Sequence, residues 1–200
     1  MAEAPLSPQQ AAQALADIAG YEEELSARVG GLTGMVWGIV SAAIFVTYGV
    51  ATGVPMWLMP FLWVPWTLAG IAVTTAAWKL HALSLRPHGV RGGRSWLWSL
   101  GFTAFFLVAL VGLHFLPMGD ASFPYMVVVN GMASFVIVAV LSRRRRRLTP
   151  VPLLVAGVLM VAGAFVIGSL RLPDLAMAFA SAGLVGACWI GSGLTAFVRG

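Results

Sequence analysis

The sequence predicts an all-α, polytopic transmembrane helical bundle with six spans, both termini cytoplasmic and a short amphipathic N-terminal helix. Three observations carry that expectation. Of the 200 residues, 60% are apolar and only 10% are charged, whereas about a quarter are charged in ordinary soluble domains. Six apolar stretches approach the roughly 20 residues that a helix rising about 1.5 Å per residue needs to cross a hydrocarbon core of about 30 Å. Eleven of the twelve Lys and Arg residues then fall on one side of the resulting map, which sets the orientation.

The elements follow in order. Residues 1–30 form an acidic, cytoplasmic, amphipathic segment. Ser7-Pro8-Gln9-Gln10 places a hydroxyl at the N-cap, proline at the first helical position and glutamine at the third, so a helix starts at Ser7. Ala11, Leu15, Ile18, Leu25 and Val29 recur at helical spacing, and Asp17 with Glu22, Glu23 and Glu24 fills much of the remainder. This start is acidic and lacks the basic stretch and short apolar core of a cleavable signal peptide, so the first span is read as an uncleaved anchor. Residues 31–200 form one six-helix membrane domain, with spans at about 31–53, 57–78, 96–116, 122–141, 150–170 and 174–197. Stretches such as Val151 to Leu170 are apolar on every face, which excludes the alternating strands of a transmembrane barrel. Pro60 and Pro65 lie inside the second span, where each removes a backbone donor, and a bend is expected there.

Charge threads the chain. Lys79, Arg86, Arg91 and Arg94 sit in one connection, and Arg143, Arg144, Arg145, Arg146 and Arg147 in another. Both connections are therefore cytoplasmic, with Arg28 and Arg199 on the same side and Arg171 alone outside. The isoelectric point near 10.4 reflects these short loops, and nucleic acid is not the expected partner. The five-arginine cluster is first an orientation signal, and its expected companion is the anionic headgroups of the lipid bilayer. Trp57, Trp63 and Trp66 at one end of the second span, and Trp78, Trp96 and Trp98 near the cytoplasmic boundary, are read as an interfacial belt.

Two sets of small residues are candidates for helix packing. Gly30, Gly34 and Gly38 recur every fourth residue in the first span, as do Gly183, Ala187 and Gly191 in the sixth. In lipid, such stripes let helix backbones approach closely, either within one molecule or between subunits. Asn130 is the intramembrane polar candidate, near the middle of the fourth span, and is expected to hydrogen-bond to another helix. No Asp, Glu, Lys or Arg occupies the centre of a span, so proton-coupled antiport is disfavoured.

Other chemistries find little footing. His114, Met118 and Asp120, with Met56, Met59, Met126 and Met177, are the residue types of a Cu(I) site, but they lack compact ligand spacing and methionine is an ordinary gap-filler. His81 and His88 lie at the opposite end from His114, which argues against a bis-histidine haem. The single cysteine, Cys188, has no partner for an intrachain disulfide. There is no nucleophile elbow, zinc-protease motif, P-loop or carboxylate pair within a span, so no metal, cofactor or catalytic residue is assigned.

The expectation is thus a non-enzymatic accessory or regulatory subunit acting through helix packing and its cytoplasmic face, alongside other membrane protein subunits. The alternative is a small transporter or permease component for an apolar or lipid-like substrate. Eleven arginines against one lysine, with short loops, fit a prokaryotic plasma membrane. The same-side placement of the acidic tail and the basic loops leaves two readings: the tail docks on the loops of its own chain or of a neighbouring subunit, or it is a solvated helix leading into the first span.

Overall fold

A computed structural model describes residues 7–51, 54, 55, 58–85, 104, 122–144 and 151–199. Among these, five long helices account for nearly everything: α1 (Pro8–Val50), α2 (Met59–Leu85), α3 (Ser122–Arg144), α4 (Val151–Ser169) and α5 (Asp174–Arg199). All five are long and apolar enough to cross a membrane, the architecture of an integral membrane protein. The expected third span, 96–116, lies outside the described residues apart from Ala104.

The expected short N-terminal helix is not a separate element. It opens at Ser7 with the anticipated capping box: the Gln10 amide donates to the Ser7 hydroxyl (3.3 Å), and the Ser7 amide donates to the Gln10 side chain (3.0 Å). From there α1 runs 43 residues without a break, a length of about 65 Å. The Gly30-Gly31 pair is the natural place for a hinge, but Gly31 is buried against α5, and no proline follows Pro8 before Val50. Helix geometry therefore propagates from the apolar half into the polar half.

Proline placement explains most of the other starts. Pro60, Pro124 and Pro152 each fall in the first turn of their helix, where the missing N–H would be unpaired in any case. Pro60 is thus a helix opener, not the interior residue the sequence reading made it. Pro65 is interior, and α2 continues through it. α2 also extends to Leu85, seven residues past the expected end. Lys79 therefore stands on the helix and is exposed, its apolar stem suited to reach from the span towards headgroups. Between α4 and α5 the turn is tight enough to hold Arg171 at φ 46°, a left-handed conformation that costs a non-glycine residue about 1–2 kcal/mol.

Helix directions follow from who meets whom. Gly49 faces Ala178, Gly38 faces Trp189 and Ile190, and Gly31 faces Phe197, so α1 and α5 are antiparallel. Gly131 against Met160 and Gly168 against Pro124 make α3 and α4 antiparallel. Ser41 bonded to Asn130, and Phe45 stacked at 6.3 Å on Phe123, run α3 against α1 as well. Gly70 against Val40, in a cluster with Tyr48 and Trp63, sets α2 antiparallel to α1. α2 and α3 are consequently parallel: the chain leaves α2 at one end of the bundle and enters α3 at the other.

The larger core joins α1, α3, α4 and α5 through Phe45, Val127, Met160, Val185 and Trp189. A second cluster, Trp37, Val40, Ile44 and Trp63, binds α2 to α1. Trp63 is thereby buried between helices, whereas Trp66 remains 44% exposed. The interfacial role expected for Trp63 gives way to packing, because its position on α2 points at α1 and an indole fills that space with apolar area.

Candidate functional site

The most specific arrangement in the described residues is the junction of α1, α3 and α5. Its first component is backbone. A Cβ on Gly31 would overlap the Gly193 carbonyl oxygen and stand 2.6 Å from the Phe197 amide nitrogen, and one on Gly193 would lie 2.5 Å from the Gly31 carbonyl oxygen. Each glycine therefore directs an α-hydrogen at the other's carbonyl, the reciprocal close approach that glycine permits between helices in lipid. Gly38 repeats it higher up, where a Cβ would sit 2.9 Å from the Trp189 and Ile190 side chains, and Gly49 has room only because Ala178 faces it.

The second component is polar. Asn130 is 2% exposed, and its side-chain oxygen accepts from the Ser41 hydroxyl (3.3 Å) and the Trp189 indole N–H (3.2 Å). Its amide nitrogen donates back to the Met126 carbonyl at 2.9 Å. Both lone pairs of the oxygen are thus engaged, one from each neighbouring helix. Ser134 donates to the Asn130 carbonyl and Ser192 to the Trp189 carbonyl, so each of those hydroxyls is satisfied within its own helix. Interhelical hydrogen bonds of this kind contribute about 0.6 kcal/mol each and up to about 1.7. They also fix rotation, since only one face of each helix carries the matching group.

The sequence candidates distribute unevenly over this junction. Asn130 lies at its centre. Gly34 and Gly38 lie on the α1 face that meets α5, but Gly30 does not, and a Cβ there would meet nothing within 4 Å. The residue that makes the contact is Gly31, one position on. Gly183 and Gly191 likewise have nothing within 4 Å, and Ala187 between them is exposed. The α5 stripe that packs within the molecule is Ala178, Ala182, Gly186 and Gly193, about one residue round the helix. Two small-residue stripes coexist on this helix, and spacing alone does not rank them. Ser41 and Trp189 carried no expectation, although a buried Asn in a span requires donors, and serine and tryptophan were the available ones.

Arg143 and Arg144 close α3, while Arg145, Arg146 and Arg147 lie outside the described residues. So do His114, Met118 and Asp120, weighed above as Cu(I) ligands and not assigned. Met177, weighed with them, is 1% exposed on the buried face of α5, and Met126 packs against both apolar clusters. Among the described residues no three His, Cys, Asp or Glu side chains group as metal ligands would.

Together the five apolar helices, the glycine crossing and the Asn130 bridge from α3 to α1 and α5 define a helical membrane protein. No protein-family model matches the chain, and comparison with curated proteins and with solved structures gives no match.

Proposed function

We propose that this chain is a non-enzymatic accessory or regulatory subunit of the plasma membrane, with six spans and both termini cytoplasmic, whose N-terminal helix is its contact surface for another membrane protein. The observation that carries the reading is the length of α1. A bilayer uses about 20 of its 43 residues. The rest, Pro8 to about Gly30, continues as a capped helical rod roughly 30 Å beyond the apolar layer. Asp17, Glu22, Glu23 and Glu24 make that rod acidic, suited to a basic partner surface or to basic loops of a neighbouring subunit.

The parallel course of α2 and α3 supports the six-span count, since a crossing between residues 86 and 121 reconciles the two directions and the expected span at 96–116 is long enough to make it. The excess of basic residues on one side supports cytoplasmic termini. Arg143 to Arg147, following directly on the apolar part of α3, suits contact with anionic headgroups. The alternative, a permease component for an apolar or lipid-like substrate with Asn130 on its path, draws less support, because the Asn130 oxygen is already occupied by Ser41 and Trp189.

Purification from native membranes in mild detergent tests the proposal. The intact chain is expected to retain a stoichiometric membrane partner, and a variant with Asp17, Glu22, Glu23 and Glu24 changed to Asn and Gln to lose it. Retention of the same proteins by both chains, or of none by either, overturns the reading.

A further inference from the structure

α2 is covered on two sides, and α1 accounts for one of them. Gly70 meets Val40 and Trp37 of α1, and Trp63 and Thr74 on the same face are buried. At about 100° per residue round a helix, Ile71 and Thr75 lie about 100° and 140° on from Gly70, and both are half-buried. Ala69 and Val73, about 100° and 60° round in the other direction, are exposed. The additional cover therefore lies on the Ile71 flank alone. Met126 of α3 packs against the same α1–α2 cluster as Ile71, which makes α3 the next helix on that side.

α3 carries the counterpart. Asn130 faces α1 and α5, Phe123 faces α1, and Gly131 and Phe135 face α4. Val129 lies about 100° round from Asn130, on the side away from Gly131. It is nevertheless only 9% exposed, and it belongs to neither apolar cluster of the described helices. Ala133, on the same edge, is 1% exposed. α2 and α3 do not pack as a helix pair in the way that α3 and α4 do. A groove therefore separates them, and both of its edges, Ile71 with Thr75 and Val129 with Ala133, are covered.

The burial is that of a single molecule, so the cover comes from the same chain. The chain leaves α2 at Leu85 and enters α3 at Ser122, at the opposite end of the bundle. Between them lies the apolar run 96–116, which as a helix is about 31 Å long. Residues 117–121 then remain before Ser122, and five residues reach at most about 18 Å. With helix axes about 8–10 Å apart, the run ends beside α3 or at most one helix further away. Most of the other sides of α3 are held by α1, α5 and α4. Its outward face, with Met132 and Val136 each 49% exposed, is bare. The groove is the place left.

We infer that the groove between α2 and α3 is the docking surface for residues 96–116 of the same chain, which cross the membrane there antiparallel to both helices. The inference rests on the six-span reading. Ala104 is helical and exposed, so the contact falls on the opposite side of the run, where Phe106, Ala109 and Leu113 recur. A filled groove closes this flank of the bundle to lipid and leaves the permease alternative no lateral entry between α2 and α3. Oxidative crosslinking of the full chain in native membranes tests it, with Cys188→Ser as background. Val129→Cys, or Ala133→Cys as a second probe, is paired in turn with single cysteines from 104 to 113. Disulfides within one chain are expected at 106, 109 or 113, with little at 104, 108 or 111. Ala187→Cys, on the exposed face of α5, is expected to give none. Crosslinks to 187 in place of 129 and 133, yields without helical period, crosslinks only between molecules, or none at all overturn the docking. Labelling of cysteines at 90 and 119 by a membrane-impermeant maleimide, from each side of the membrane, reports whether the segment crosses. Labelling from opposite sides without the expected disulfides defeats the groove and leaves the six spans standing. Labelling from one side defeats the six-span reading and the docking with it.

Discussion

The two halves of α1 share one backbone and differ in everything that meets it. In the apolar half, Gly31, Gly38 and Gly49 each lie so close to α5 that a Cβ would collide. In the polar half, Gly20 has nothing within 4 Å, and Gly30, at the boundary, is equally open. The same residue type is therefore a contact surface in one half and a conformational weakness in the other. The contrast among the described residues is one of means: the apolar half is held by its neighbouring helices, and the polar half shows capping, alanine-rich propensity and a local ion pair.

The largest expected effect lies where the backbones touch. Gly31→Leu should destabilise the bundle by about 1–3 kcal/mol, towards the upper end, because the displaced neighbour is the Gly193 carbonyl and not a flexible side chain. Gly30→Leu, one residue earlier, should leave unfolding in detergent nearly unchanged. Equal losses at the two positions would break the division between the halves. Asn130→Leu comes next. It removes both acceptances, from Ser41 and from Trp189, at about 0.6–1.7 kcal/mol each. Combined with Trp189→Phe it should cost less than the sum of the two single changes, since one hydrogen bond is then counted twice. Strict additivity in that cycle would mean that the bond contributes nothing.

Much of this division was legible in the sequence, and its failures share a cause. The start at Ser7 and the helical character of all five elements follow from local rules, because capping and apolar run length are properties of neighbours in the chain. Asn130 stood out because an amide buried in lipid requires partners. The choice of Gly31 over Gly30, and of the Ala178–Gly186 stripe over Gly183–Gly191, depends on helix rotation about its own axis. That rotation is set by the fit of bulky groups such as Trp189 and Phe45 into a neighbouring helix, which spacing within one helix does not encode. The unbroken passage of α1 through Gly30-Gly31 was hidden for the same reason: a potential hinge was closed by a contact with residues more than 160 positions away.

The polar half offers an effect of opposite sign. Gly20→Ala meets no neighbour and should stabilise local helix by up to about 1 kcal/mol, the difference in propensity between the two residues. Amide hydrogen exchange should slow around residues 16–24, and the unfolding of the bundle should not move. A change in bundle stability would show that the polar half is packed as tightly as the apolar one.

The smallest effect is the sharpest test of separation. Arg28 donates to Glu24 at 2.6 Å, four residues apart and with both side chains about half exposed. An acid placed four residues before a base on a helix contributes about 0.3–0.5 kcal/mol. Glu24→Gln should therefore speed amide exchange slightly between residues 20 and 30 at low salt. At about 1 M salt, where the screening length falls to about 3 Å, that difference should shrink markedly. Because Arg28 lies only three residues before Gly31, any coupling between the halves would appear here first. Slower or faster exchange spreading to residues 31–50 would mean that the polar rod tunes the α1–α5 crossing. Confinement of the effect before Gly31 would mean that the glycine contact insulates the bundle from whatever binds the rod.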